Sequence, residues 1–147
     1  MFGLGVIAQK SAPSQEFKAQ LGHICVAIKW VYGQNFKSDD GDRSTCTENA
    51  IGAFGKCILF HGADPMFEEN VVVEGYLNLL PLTFDCEEAQ PVHLLFLQQI
   101  KAQNPWLAKC QDATKAALAR LAEAVKGKHA ADELVDDEGM QLLNQLA

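Results

Sequence analysis

The chain has 147 residues, 48% of them hydrophobic and 21% charged, enough for a buried core and too apolar for a disordered segment. Its net charge of −7 argues against nucleic acid as a partner, because phosphate binding needs a surplus of Lys and Arg. Met1 to Lys10 lacks the basic leader and small-residue cleavage pattern of a signal peptide. No apolar run approaches the roughly 20 residues that span a bilayer.

Five cysteines, Cys25, Cys46, Cys57, Cys86 and Cys110, are an odd number without CxxC spacing and read as reduced thiols. Apolar residues recur at helical spacing almost throughout, with no sustained strand-like alternation. Phe2 to Gln9 looks like the second half of a helix whose beginning is missing. A helix from about Ser14 to Tyr32 follows, capped by Ser14 and striped by Phe17, Leu21, Ile24, Cys25, Ile28 and Val31. Gly33 ends it, and Lys37 to Arg43 read as a polar loop.

The third helix is expected from Ser44 or Thr45 to His61, with Thr47, Ala50, Ile51, Phe54, Cys57, Ile58 and His61 on its apolar face. Gly62-Ala63-Asp64-Pro65 closes it. A fourth helix, Met66 to Leu80, presents Val72, Val73, Tyr76, Leu77 and Leu80 and stops before Pro81. The fifth opens on the capping box Asp85-Cys86-Glu87-Glu88 and buries Ala89, Val92, His93, Phe96, Leu97 and Ile100. Pro91 inside it should remove one hydrogen bond and bend the first turns.

Asn104-Pro105 opens a connection to a sixth helix, about Asp112 to Lys126, with Leu118, Leu121, Ala122 and Val125 inward and Gly127 as its stop. A last helix, about Asp136 to Leu146, packs through Met140, Leu143 and Leu146. Internal similarity is visible: Gly3-Leu4-Gly5 returns as Ala53-Phe54-Gly55, and Asn49-Ala50 is echoed by Glu88-Ala89. These spacings bracket the roughly 40–47 residues of a HEAT repeat, a pair of antiparallel helices.

Several segments also resemble one family in collinear order. Phe2-Gly3-Leu4-Gly5-Val6-Ile7-Ala8-Gln9 is similar to the Tyr-Gly-Leu-Gly-Val-Met-Ala-Gln stretch near the C-terminal end of importin-beta superfamily (karyopherin-beta) nuclear import receptors. Thr47-Glu48-Asn49-Ala50 resembles a second-helix signature of the branch that imports ribosomal proteins and histones. Leu79-Leu80-Pro81-Leu82, Asp85, Glu87-Glu88-Ala89 and His93 resemble a further block. Asn104-Pro105, Leu121-Ala122-Glu123-Ala124, Glu133-Leu134-Val135 and Leu142-Leu143 with Gln145-Leu146 continue the match. Pro91, Gly139 and the loop Lys37 to Arg43 depart from the family pattern.

The resemblance implies an all-α HEAT-repeat superhelical solenoid of about three and a half repeats, the C-terminal piece of a longer receptor. Its parts would be a truncated helix at 1–10 and repeats at 14–62, 66–103 and 105–147. Such a receptor binds basic cargo proteins on its concave surface, takes Phe-Gly nucleoporins between outer helices, and shuttles between cytoplasm and nucleus. Ran-GTP, acting mainly on N-terminal repeats, releases the cargo. Glu48, Asn49, Glu87 and Glu88 are then the candidate cargo-facing or inter-repeat residues, and Asn49 has a competing structural role in helix stacking. A HEAT-repeat scaffold unrelated to transport is the alternative.

Enzymatic readings fare less well. Gly3-Leu4-Gly5-Val6-Ile7-Ala8 fits a G-x-G-x-x-A dinucleotide fingerprint formally, but that motif needs a preceding strand. Cys57 and His61 share a helix face, as two ligands of the about four a structural zinc needs. Cys86 and His93 lie on another helix, so core-facing polar residues are the simpler reading of both pairs. Glu87-Glu88 and Asp136-Asp137 sit where carboxylates cap helices and meet the helix dipole. No catalytic residue, metal ligand or cofactor is expected.

Overall fold

A computed structural model describes residues 2–11, 15–33, 41–61, 70–127 and 131–147. Among them every regular element is helical and no strand occurs. The chain divides into two compact units, Met1–Glu69 and Asn70–Ala147.

The first unit contains α1 (Phe2–Lys10), α2 (Gln15–Gly33) and α3 (Gly41–His61), with α1 and α2 each packed on α3. Burial on two sides explains why every residue from Ile51 to Leu59 is buried, including Lys56. Helix α1 approaches α3 closely because Gly5 lacks a side chain. A Cβ there would stand 3.1 Å from the Ala53 Cα and 2.9 Å from the Lys56 Cδ. The Gly-rich start of the chain is therefore a helix-packing surface in a continuous helix, not a phosphate-binding turn.

The α2 stripe holds for Phe17, Leu21 and Cys25, which are buried, whereas Ile24 is only partly so. The side chains of Ile28 and Val31, the Ser14 cap, residues 37–40 of the expected loop and the 62–65 closure lie outside the described residues. Residues 41–43 are helical rather than part of that loop. The sequence pattern alone does not separate a polar loop from a polar helical turn.

The second unit contains α4 (Asn70–Leu77), α5 (Cys86–Lys101), α6 (Pro105–Lys109), α7 (Gln111–Val125), α8 (Ala131–Leu134) and α9 (Asp137–Leu146). Helix α4 packs on α6 and α7, and α5 packs on α8 and α9. Tyr76, Leu77, Leu82, Phe96, Leu97 and Leu121 form the centre of the core. Each such side chain stabilises the unit by about 1.5–3 kcal/mol relative to exposure.

Helix α4 ends at Leu77, three residues before the expected Leu80. The N–H groups of Leu79 and Leu80 turn to the carbonyls of Tyr76 and Leu77, which tightens the chain. The Arg120 guanidinium then donates to the carbonyl oxygens of Leu77 at 2.7 Å and Leu80 at 3.0 Å. A cation from α7 thus caps the end of α4.

Helix α5 starts as its sequence indicates, with the Asp85 Oδ1 accepting from the Glu88 N–H at 3.3 Å. Pro91 does not interrupt it. Pro91 and Glu87 are both exposed, so the missing N–H falls on the solvent side of the helix, where losing one hydrogen bond costs least. Helix α6 was expected as a connection. Asn104 accepts from the Trp106 N–H at 3.0 Å and Pro105 takes the first helical position, the normal start of a helix. At α9, the Asp136 Oδ1 accepts from the Gly139 N–H at 2.7 Å. Gly139 is buried there, and an added Cβ would meet Val135 Cβ at 3.2 Å, which accounts for glycine inside this helix.

Candidate functional site

Of the four residues nominated from sequence, Glu48 and Asn49 lie on α3 of the first unit, and Glu87 and Glu88 open α5 of the second. Glu48 and Asn49 are half-buried. The Asn49 Nδ2 donates to the Thr45 carbonyl at 2.9 Å, one turn back on its own helix, so part of its amide serves α3 itself. Glu87 is exposed.

Glu88, expected to be cargo-facing or inter-repeat, does not face solvent. It is only 2% exposed and leaves almost no surface for a partner. Its position explains this: Val92 and Phe96 follow at one and two helical turns, and both are buried. Glu88 sits in the first turn of α5, where the helix dipole favours a carboxylate. Its negative charge and burial together push the neighbouring Tyr76 phenol far above its usual range, burial being the larger cause.

His93 is the polar centre of the second unit. It is fully buried, its Nε2 accepts the Leu82 N–H at 3.0 Å, and its Nδ1 donates to the Leu134 carbonyl at 2.8 Å. Accepting at Nε2 requires the neutral ring with its proton on Nδ1. Burial pushes the imidazole down to about 4, against the Leu134 bond that favours the charged form. With both nitrogens committed to backbone, His93 has no lone pair left for a metal. It pins the segment after α4 and the end of α8 to α5.

In the first unit, the His61 Nε2 bonds to the Ala8 carbonyl at 2.8 Å, and the ring stacks on Phe17 with centroids 4.7 Å apart. His61 therefore ties both α1 and α2 to α3. Cys57, one turn earlier, is fully buried, and the neighbouring Cys25 thiol on α2 holds it below the usual thiol range against the opposing effect of burial. Among the described residues no group of three or more His, Cys, Asp or Glu side chains could hold a metal ion. No helix among them is long and apolar enough to cross a membrane.

Two surface features did not emerge from the sequence. On α2, Val26 and Trp30 are 63% and 68% exposed at adjacent helical positions, outside the buried stripe. In the second unit, Ile100, Leu107, Ala108 and Lys115 help to line an open groove of about 470 Å³ at the junction of α5, α6 and α7. The i, i+4 pair Val26 and Trp30 was the available signal for the first. The groove depends on the fold-back at Asn104 and has no sequence signal. Exposed carboxylates also gather at the start of α9, in Asp136, Asp137 and Glu138. Comparison with models of known families, with characterised proteins and with solved structures found nothing that matches this chain.

Proposed function

We propose that this chain is a protein-binding helical-repeat segment of the kind found toward the C-terminal end of importin-beta-type nuclear transport receptors. In this reading it forms part of a HEAT solenoid that carries basic cargo through the nuclear pore under Ran-GTP control. The observation that carries the reading is helix-on-helix packing in which the interior polar groups serve structure. His61 and His93 join helices, Arg120 caps α4, and Glu88 lies inside, so the polar groups left for recognition are at the surface. The collinear family resemblance supplies the biological context.

Exposed Glu87, half-buried Glu48 and the carboxylates at the start of α9 offer negative charge to a Lys- and Arg-rich partner. Such contacts are individually weak, on the order of 0.2–1 kcal/mol each. Phe-Gly segments of pore proteins would bind this chain weakly, in grooves between outer helices.

Zero-length carbodiimide crosslinking of the chain to a Lys- and Arg-rich peptide, mapped by mass spectrometry, tests the assignment. Crosslinks at Glu87 and Glu48, with none at buried Glu88, are expected. Crosslinks confined to other carboxylates would remove these residues from the recognition surface, and no crosslinking at all would count against a basic partner.

A further inference from the structure

Helix α7 carries more apolar surface than its unit covers. It packs on α4, α6 and α8, and Ala117, Leu121 and Val125 are buried. Leu118 and Ala122, which their spacing places inward, are only half-buried, and Ala119 is exposed. They belong to one face of the helix, along which Gln111, Lys115, Leu118, Ala122 and Lys126 recur every three or four residues.

This face floors two hollows. The groove of about 470 Å³ lies at its start, walled by Ile100 and Leu107. A second, of about 440 Å³, lies further along, between Leu118, Ala122 and Leu146 of α9. Lys115 lines both, so the two form one track along α7. From Gln111 to Lys126 the helix rises about 22 Å. We propose that this track binds an amphipathic helix of a partner protein, its apolar face on Ile100, Leu118 and Ala122 and a Glu or Asp beside that face on Lys115.

The floor selects a helix as occupant. The backbone bonds of α7 are internal, so an extended peptide lying on it would leave N–H and C=O groups unmatched, whereas a helix satisfies its own. Small side chains at Ala108, Ala119 and Ala122 let a second helix approach, with its ridges seated between Lys115, Leu118 and Ala122. Charge then sets the sign of the partner. The ionisable residues lining the track are Lys115, Glu123 and Lys126, and Glu123 lies 3.8 Å from Lys126. Lys115 stands at the middle as the remaining charge, and Asp112, one turn before it, lines a separate pocket with Glu74. A positive centre between apolar walls, on a chain of net charge −7, is complementary to a carboxylate and disfavours a basic helix. This surface is distinct from the acidic one offered to basic partners, and neither proposal rests on the other.

The test selects, on the full chain, from a phage-displayed library of helical peptides about 15 residues long, the length that spans the track. One peptide face is fixed as Leu and Ala at every third or fourth position, and the flanking positions vary among Glu, Gln and Lys. Glu-flanked peptides are expected to be enriched, and carbodiimide should couple a flank carboxylate of the selected peptide to Lys115. Lys115→Glu should weaken that peptide several-fold by fluorescence anisotropy and bring Lys-flanked peptides out of the same library. Ala119 is exposed, so Ala119→Glu should also weaken the peptide while the urea midpoint stays that of the parent. The proposal is overturned by enrichment indifferent to flank charge, by coupling at other lysines, or by binding that Lys115→Glu leaves unchanged. It is equally overturned by no enrichment at all, and an uncharged Phe-Gly peptide binding at the same residues would then make the track a site without charge selection.

Discussion

Lowering the pH should loosen the second unit through His93 before the ordinary carboxylates protonate. In the fold this imidazole titrates at about 4, well below the roughly 6.5 of an exposed histidine. The native state therefore prefers the neutral ring. Its contribution is complete above pH 6.5 and is lost as the pH falls from there toward 4. Across that window the unfolded chain holds one more proton, which removes about 1.4 kcal/mol per pH unit and about 3 kcal/mol in all.

Between pH 7.5 and 5 the expected loss is about 2 kcal/mol. Stopping at pH 5 stays above the usual Asp and Glu range. Protonation would place an N–H at Nε2 facing the Leu82 N–H, donor against donor. The chain's two tryptophans, Trp30 and Trp106, fall one in each unit, so a Trp30→Phe background leaves Trp106 to report on the second. Urea unfolding at pH 7.5, 6 and 5 should show this fall in the parent, and His93→Gln should flatten the slope while lowering stability throughout. Equal pH slopes in parent and His93→Gln would refute the assignment of the proton to this ring.

Two glycines on the same helix should respond in opposite directions. Gly5→Val should destabilise the first unit by about 1–3 kcal/mol through overpacking against Ala53, whereas Gly3→Ala, exposed and with open space around it, should stabilise it by about 0.5–1 kcal/mol. Urea unfolding followed by Trp30 fluorescence reads both. Gln103 follows α5 with a φ of 55°, in the left-handed region, so Gln103→Gly should raise the stability of the second unit by about 1 kcal/mol; an unchanged urea midpoint would count against strain at that position. Arg120→Met leaves the carbonyls of Leu77 and Leu80 without this donor and should lower stability by about 1–3 kcal/mol. Faster amide exchange through α4, measured in the same variant, would place the loss at that helix end.

Local chemistry was legible in the sequence. The Asp85 cap, the apolar face of α5 from Ala89 to Leu97 and the Asp136 cap follow from spacing within one or two turns, and the structure keeps them, while Ile100 is only half-buried. The inward positions Ile51, Phe54, Cys57 and Ile58 of α3 were also readable, whereas the burial of Gly52, Ala53, Gly55, Lys56 and Leu59 follows from packing on two sides. Long-range partners were not legible. His93 was placed on the core face, but its bonds reach Leu82, 11 residues away, and Leu134, 41 residues away. Arg120 reads as an ordinary helix former until α4 lies against α7.

Among the candidate residues, Glu88 shows what a motif leaves open. A capping box places a carboxylate in the first turn without saying which way that turn faces. The i, i+4 relation to Val92 and Phe96 was the better guide. Helix α8 has only four residues, too few for a periodic signal.

The claim that this chain presents negative surface to a basic protein partner is tested most directly by a binding titration. The dissociation constant of a fluorescent Lys- and Arg-rich peptide would be measured by anisotropy at about 50 and about 200 mM salt, where screening differs strongly. Binding should weaken several-fold at the higher salt, and Glu48→Gln with Glu87→Gln should weaken it further and reduce the salt dependence. Affinity indifferent to both salt and these two substitutions would contradict it.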